Sequence, residues 1–176
     1  MKVGRGRVPG LGRVLAVALA AFLAGCGGDP AAGRVLPEGR LWRLDGTAVE
    51  ASAYRGRAVV LNFWATWCVP CREELPSLER LARSLDPARF AVVAVSVDDD
   101  VNLVREFLRE TPLAFDLYLD RDRWWQGRLG VRAIPDTFLV APDGRIVARE
   151  TGPRQWDAPE MRRRVEAAYH GADAGG

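Results

Sequence analysis

At 176 residues, with 48% hydrophobic and 27% charged side chains, the chain has the length of one globular domain with short extensions. Four of its 25 basic residues (Lys2, Arg5, Arg7, Arg13) precede residue 26, where no acid lies; the 21 that remain face 23 acids, which gives no electrostatic case for nucleic-acid binding. Lys2 is the only lysine and His170 the only histidine, so the body lacks a Schiff-base or phosphate-loop lysine, and any histidine-based triad or metal site would rest on one residue near a Gly/Ala-rich end, read here as a solvated tail.

The chain begins basic (Met1–Arg13), turns apolar over Val14–Ala24, and then becomes small. Eleven apolar residues fall short of the roughly 20 that a bilayer-crossing helix needs, so residues 1–25 read as a secretory signal peptide. Leu23-Ala24-Gly25-Cys26 resembles a bacterial lipoprotein processing site, which implies lipidation of Cys26 as the first mature residue. Cleavage by an ordinary signal peptidase, or retention of the segment as a weak anchor, are the competing readings. Residues 26–39, rich in Gly, Ala and Pro, read as a flexible tether, and the body is placed outside the cytoplasm, lipid-anchored to a membrane.

The domain is expected over 40–170, with 171–176 as a disordered tail. Arg40–Leu44 reads as a short strand ended by Asp45-Gly46. Ala58–Trp64 is an apolar run fit for a strand buried on both faces. Pro70 to Leu85 follows as a helix, with Leu75, Leu78, Leu81, Ala82 and Leu85 at three- and four-residue steps. Phe90–Val97 is a second buried strand. Asp98-Asp99-Asp100 then opens a helix over Val101–Arg109, since acids suit a helix start; a calcium loop would need a longer ligand ladder ending in Glu. Leu113–Leu119 reads as a strand and Arg121–Arg128 as a short helix. Thr137–Val140 and Arg145–Arg149 flank the turn Pro142-Asp143-Gly144 as a hairpin, and Ala158–Tyr169 closes the domain as a helix. This order implies an α/β fold, a mixed central sheet with helices on both faces.

Cys68 and Cys71 sit where a buried strand gives way to a helix. Cys68 falls at the helix N-terminus, where free N–H groups and the dipole favour a thiolate, the attacking species in disulfide exchange; Cys71 stands one turn inside, placed to release a mixed disulfide. Pro70 suits a first helical turn. Zinc would want further Cys or His ligands, covalent haem attachment would want His where Arg72 stands, and a structural bridge over so short a loop stabilises little. No metal and no cofactor are expected.

Asn62-Phe-Trp-Ala-Thr-Trp-Cys-Val-Pro-Cys71 resembles the active-site segment of the TlpA/ResA-like thioredoxins, and Gly130-Val-Arg-Ala-Ile-Pro-Asp-Thr-Phe-Leu-Val140 resembles their cis-proline strand. The resemblance spans about Arg40 to Tyr169 and implies a thioredoxin-like fold. It implies a redox-active disulfide of Cys68 and Cys71, a cis-proline at Pro135, and a proton-transferring carboxyl at Glu74, against the alternative of a solvated helix glutamate, as Glu73 is read. Asn62 stands where cytoplasmic thioredoxins usually carry a buried Asp. Trp67, Val69, Pro70 and the Ile134 backbone are expected to meet substrate; Trp64 is expected in the core, and Trp124-Trp125 either line a partner groove or, preferably, pack. Asp136, beside the cis-proline, is slender evidence for the cytochrome c maturation branch.

The resemblance further implies protein disulfide clients, such as apocytochrome c or metal-site assembly proteins, and recharging by a membrane thiol-electron donor. Reduction is the favoured direction. A disulfide-introducing oxidant and a non-catalytic thiol metallochaperone are the alternatives, whereas a peroxidase would want Pro and Thr where Leu61 and Ala65 stand.

Overall fold

The computed structural model describes residues 31–171 together with Met1. The leader, Cys26 and the end of the tail lie outside the described residues. Seven strands form one mixed sheet among the described residues: β1 (Arg40–Arg43), β2 (Ala48–Glu50), β3 (Ala58–Trp64), β4 (Phe90–Ser96), β5 (Asp116–Leu119), β6 (Asp136–Val140) and β7 (Ile146–Thr151), in the order β2-β1-β5-β4-β3-β6-β7. β3, β4 and β5 run parallel; β6 pairs antiparallel with β3, β7 with β6, and β1 with both β5 and β2. The helices are α1 (Val69–Ser84), α2 (Val101–Glu110), α3 (Trp124–Leu129) and α4 (Pro159–His170).

Every residue of β3 and β4 is buried, as their unbroken apolar runs require of strands covered on both faces. On one face Val60, Trp64, Val92, Ala94 and Leu139 meet Leu75, Leu78 and Leu81 of α1, Val104 of α2, and Met161, Val165 and Ala168 of α4. On the other, Val59, Leu61, Phe63, Val93, Val95 and Phe138 meet Tyr54, Trp125 and Leu129. The mixed sheet with helices on both faces is thus present.

α2 starts as its acids suggest, with Asp100 Oδ1 accepting from Asn102 N at 2.8 Å. Three expectations need correction. The tether over 26–39 runs, from residue 31 on, against the domain. Gly33 N donates to Ile146 O, Ile146 N to Arg34 O and Leu36 N to Gly144 O, each at 2.8 Å, and Ala31 is buried. The folded unit therefore already includes residues 31–36, ahead of residue 40. These contacts use backbone donors along the β7 edge, which leave no periodic signature in side chains.

The helix expected over Arg121–Arg128 is broken. Asp122 and Arg123 take left-handed φ values of 58° and 54°, and α3 starts only at Trp124, its first turn held by Asp120, which accepts from Trp125 N and Gln126 N. A side-chain cap that favours the later start overrides local propensity. Finally, β2 was not anticipated: three residues carry too little pattern, and the strand exists through its pairing with β1.

The tryptophans sort by burial. Trp64 is in the core, tilted against Phe107. Trp125 is buried, with Nε1 donating to Arg40 O at 2.8 Å, and Trp124 packs edge-on against it. A Cβ on Gly39 would lie 2.5 Å from the Trp124 ring, so a glycine is required where the chain passes it. The pair packs instead of lining a groove. His170 ends α4, exposed.

Candidate active site

β3 ends at Trp64, and a three-residue loop leads to Cys68, the N-cap of α1. Cys68 and Cys71 are joined by a disulfide, 5.3 Å apart at Cα. Cys68 keeps 6% of its surface exposed while Cys71 keeps none, so the first sulfur is the one a partner can approach. Cys71 N donates to Cys68 Sγ at 3.3 Å. When the bond opens, that N–H and the helix dipole stabilise negative charge on Cys68, not on Cys71. Trp67 and Val69 on either side are 65% and 59% exposed, and Pro70 is half-buried.

The Ile134–Pro135 peptide is cis, as the resemblance implies. It lies where β6 begins, beside the carboxyl end of β3, because the two strands are antiparallel with Phe63 opposite Asp136. Cys68 Sγ comes to 3.8 Å from the Ile134 carbonyl. Ile134 is half-buried, and its backbone stands beside the reactive sulfur.

Glu74, one turn beyond Cys71, is only 3% exposed, whereas its neighbour Glu73 is exposed. Oε1 accepts from Asn62 Nδ2 at 2.8 Å; Oε2 accepts from Arg154 N at 2.9 Å and Trp156 Nε1 at 3.1 Å. Burial pushes the Glu74 carboxyl above its ordinary value, against the opposing pull of those three N–H donors. The carboxyl lies one helical turn from Cys71 and is a group of the kind that can exchange a proton. The Asn62 amide also donates to Thr137 Oγ1 at 2.8 Å, tying α1 to both β3 and β6.

Several residues here had no signal in the sequence. Arg154 and Trp156 reach Glu74 across 80 and 82 positions from a loop, a juxtaposition that no local pattern encodes. Ser77 Oγ accepts from Trp156 N and holds that loop down. Asp98, taken with its acidic neighbours as part of a helix start, instead turns inward to the loop before Cys68. Its position just past the carboxyl end of a buried strand, where open α/β sheets gather their site residues, was the available clue. Asp136 is fully buried and gripped by Arg149, with Nε–Oδ1 at 3.0 Å and Nη2–Oδ2 at 2.6 Å; the same guanidinium donates to Gly130 O, so it clamps the two ends of the segment carrying the cis peptide.

The comparisons with known proteins agree with this geometry. The AhpC/TSA family model matches residues 32–149. The thiol-disulfide oxidoreductase ResA of Bacillus subtilis is 34% identical over 108 residues, 61% of this chain and 60% of that protein. A Chlorobium tepidum protein assigned as the thiol:disulfide interchange protein DsbE superposes with a TM-score of 0.72 at 29% identity, covering 78% of this chain and 96% of that one. A secreted Mycobacterium tuberculosis disulfide oxidoreductase homologous to Escherichia coli DsbE gives a TM-score of 0.64 at 27% identity, over 74% and 96%. The family match starts at residue 32, within the segment whose backbone bonds to Gly144 and Ile146. Thioredoxin-like in fold and similar throughout its folded part to thiol–disulfide oxidoreductases, the chain belongs to the AhpC/TSA family.

Proposed function

We propose that this protein is an extracytoplasmic thiol–disulfide oxidoreductase that reduces disulfides in client proteins through Cys68 and Cys71. The observation that carries the reading is the placement of Cys68 Sγ: on a helix N-terminus, the more exposed of the two cysteines, and 3.8 Å from the Ile134 carbonyl. An extended client segment can pair with that backbone while presenting its disulfide to the sulfur.

In the reduced protein, the Cys68 thiolate attacks one sulfur of the client disulfide. A Cys68–client bond forms, the client S–S bond breaks, and the displaced client sulfur leaves as a thiolate that takes up a proton. Cys71 then gives its proton to Glu74 and attacks Cys68 Sγ. The Cys68–Cys71 bond forms and the second client sulfur leaves as a thiol, its proton returned through Glu74. Two electrons pass from the protein dithiol to the client, and the protein ends as the described disulfide. A membrane thiol-electron donor would restore the dithiol. Trp67, Val69 and Pro70 offer the client a surface around the sulfur, and Pro135 holds Ile134 in place.

The leader and the Leu-Ala-Gly-Cys site support a lipid anchor at Cys26 on the outer side of a membrane, and the secreted mycobacterial relative supports an outer location. Apocytochrome c and metal-site assembly proteins are the client classes in view.

The test is to replace Cys71 with Ala in cells. C71A should accumulate a mixed disulfide with its client, visible on a non-reducing gel, and C68A should accumulate none; equal trapping by C68A would sink the reading. Equilibration with glutathione sets the direction. A potential near about −270 mV, as in thioredoxin, supports reduction, and one near about −120 mV reverses it.

A further inference from the structure

We infer that Asp98 is a positioning residue for the reaction: its carboxylate holds the loop before Cys68 in the shape that presents the sulfur and Trp67 to a client. The inference rests on the client-exchange reading of the site.

The loop from Ala65 to Trp67 carries no secondary structure of its own, yet both the nucleophile and the most exposed aromatic ring of the site depend on it. Within the loop, Cys68 N donates to Ala65 O at 3.2 Å, a single turn bond. Ala65 is buried in the core, and the polar hold on Thr66 comes from Asp98, which is 7% exposed and lies two residues past the end of β4. Oδ1 accepts from Thr66 Oγ1 at 2.6 Å, and Oδ2 accepts from Thr66 N at 3.0 Å and Ser96 Oγ at 2.7 Å. Ser96 Oγ in turn accepts from Asp98 N at 3.0 Å, so the carboxylate is itself fixed to the last residue of β4. Ser96 stands opposite Trp64, the last residue of β3.

Thr66 is thus held at two atoms by a group anchored to the neighbouring strand, one residue before Trp67 and two before Cys68. Among the described residues Asp98 forms no salt bridge, in contrast to Asp99, which pairs with Arg123, while Asp100 caps α2. Of three consecutive acids, one is turned inward and ties this loop to the end of β4. Exchange between sulfurs needs near-linear approach at a fixed distance, and a displacement of about 1 Å can cost up to ~10²-fold.

The partners allow geometry to be separated from charge. In D98N the amide oxygen can keep Thr66 N and Ser96 Oγ, while the amide nitrogen donates to Thr66 Oγ1, which turns to accept and, being half-buried, gives its own proton to solvent. D98A leaves Thr66 N and its hydroxyl without their acceptor. T66V removes only the hydroxyl bond.

The experiment measures insulin disulfide reduction, driven by dithiothreitol, beside iodoacetamide alkylation of Cys68 in the reduced full chain, with thermal melts as a control for folding. D98A should lose about tenfold or more in insulin reduction, while alkylation, which needs no loop geometry, is no slower than in the wild type. D98N should stay near the wild type, and T66V should fall between the two. Wild-type rates for D98A, or a D98N as impaired as D98A, overturn the inference. If D98A does not fold, a folded T66V with the wild-type rate overturns it. An inactive wild-type chain would instead remove the client-exchange reading, and this inference with it.

Discussion

Asn62 Nδ2 donates to Glu74 Oε1 at 2.8 Å, joining a fully buried strand residue to a buried helix carboxyl one turn beyond Cys71. With Arg154 N and Trp156 Nε1 on the other oxygen, Glu74 faces donors from a strand and a loop, while burial works against its charge. Burial is the larger influence, so this carboxyl holds its proton more tightly than a solvated glutamate does.

E74Q should therefore slow resolution of the mixed disulfide, by about 10²-fold if Glu74 is the proton acceptor. Single-turnover quench experiments should show the Cys68–client adduct accumulating, with its formation unchanged. Equal adduct lifetimes in E74Q and the wild type would remove Glu74 from the mechanism.

The same carboxyl leaves a mark on stability. Its folded value lies above the ordinary 4.5, so just above that pH the folded chain binds more protons than the unfolded one. The stability contributed by the neutral acid is complete below pH 4.5 and is lost as pH rises through the folded value. The melting temperature of the wild type relative to E74Q should fall as pH rises over that window. A pH-independent difference would contradict the raised value.

Trp67 should act on clients and not on folding. It is 65% exposed, so W67A should change stability by no more than about 0.5 kcal/mol. If the ring anchors a client, its loss should raise KM for insulin about tenfold, corresponding to about 1.4 kcal/mol. Steady-state kinetics and urea melts on the same preparation separate the two effects.

The Asp136–Arg149 pair makes the opposite prediction. Asp136 is fully buried and its partner side chain only 17% exposed. R149M removes the guanidinium, which also lies over the Phe138 ring, and strands a buried carboxylate, at a cost of about 3 kcal/mol. The double variant D136N/R149M should recover part of that loss in urea unfolding. Unchanged stability in R149M would show that the pair does not hold the segment.

C26A should move the protein from the membrane to the soluble fraction of cells, and incorporation of labelled fatty acid should vanish with it. Continued pelleting with membranes would mean that the leader is not processed as a lipoprotein signal.

Burial and local pairing account for what could be read early. β3 and β4 were legible as unbroken apolar runs, and α1 as a three-and-four spacing of leucines, because those patterns are the direct consequence of facing a core. Cys68, Cys71 and Pro135 stood out because their chemistry is tied to a residue type at a fixed place. The short strand β2 and the break before α3 did not, since each depends on a partner elsewhere: β1 in one case and the Asp120 carboxylate in the other.

By itself the sequence determined the α/β order, the cysteine pair at a helix start and the proline that faces it, since periodicity and residue chemistry are local properties. Only the tertiary structure decided that Glu74 is buried while Glu73 is not, and that Trp156, 82 residues away, closes over it. It alone decided that Asp98 serves the loop before Cys68 while Asp100 serves a helix. The physical reason is that a carboxyl's role is set by which donors the fold brings to it, and those donors come from strands and loops that are distant in the chain.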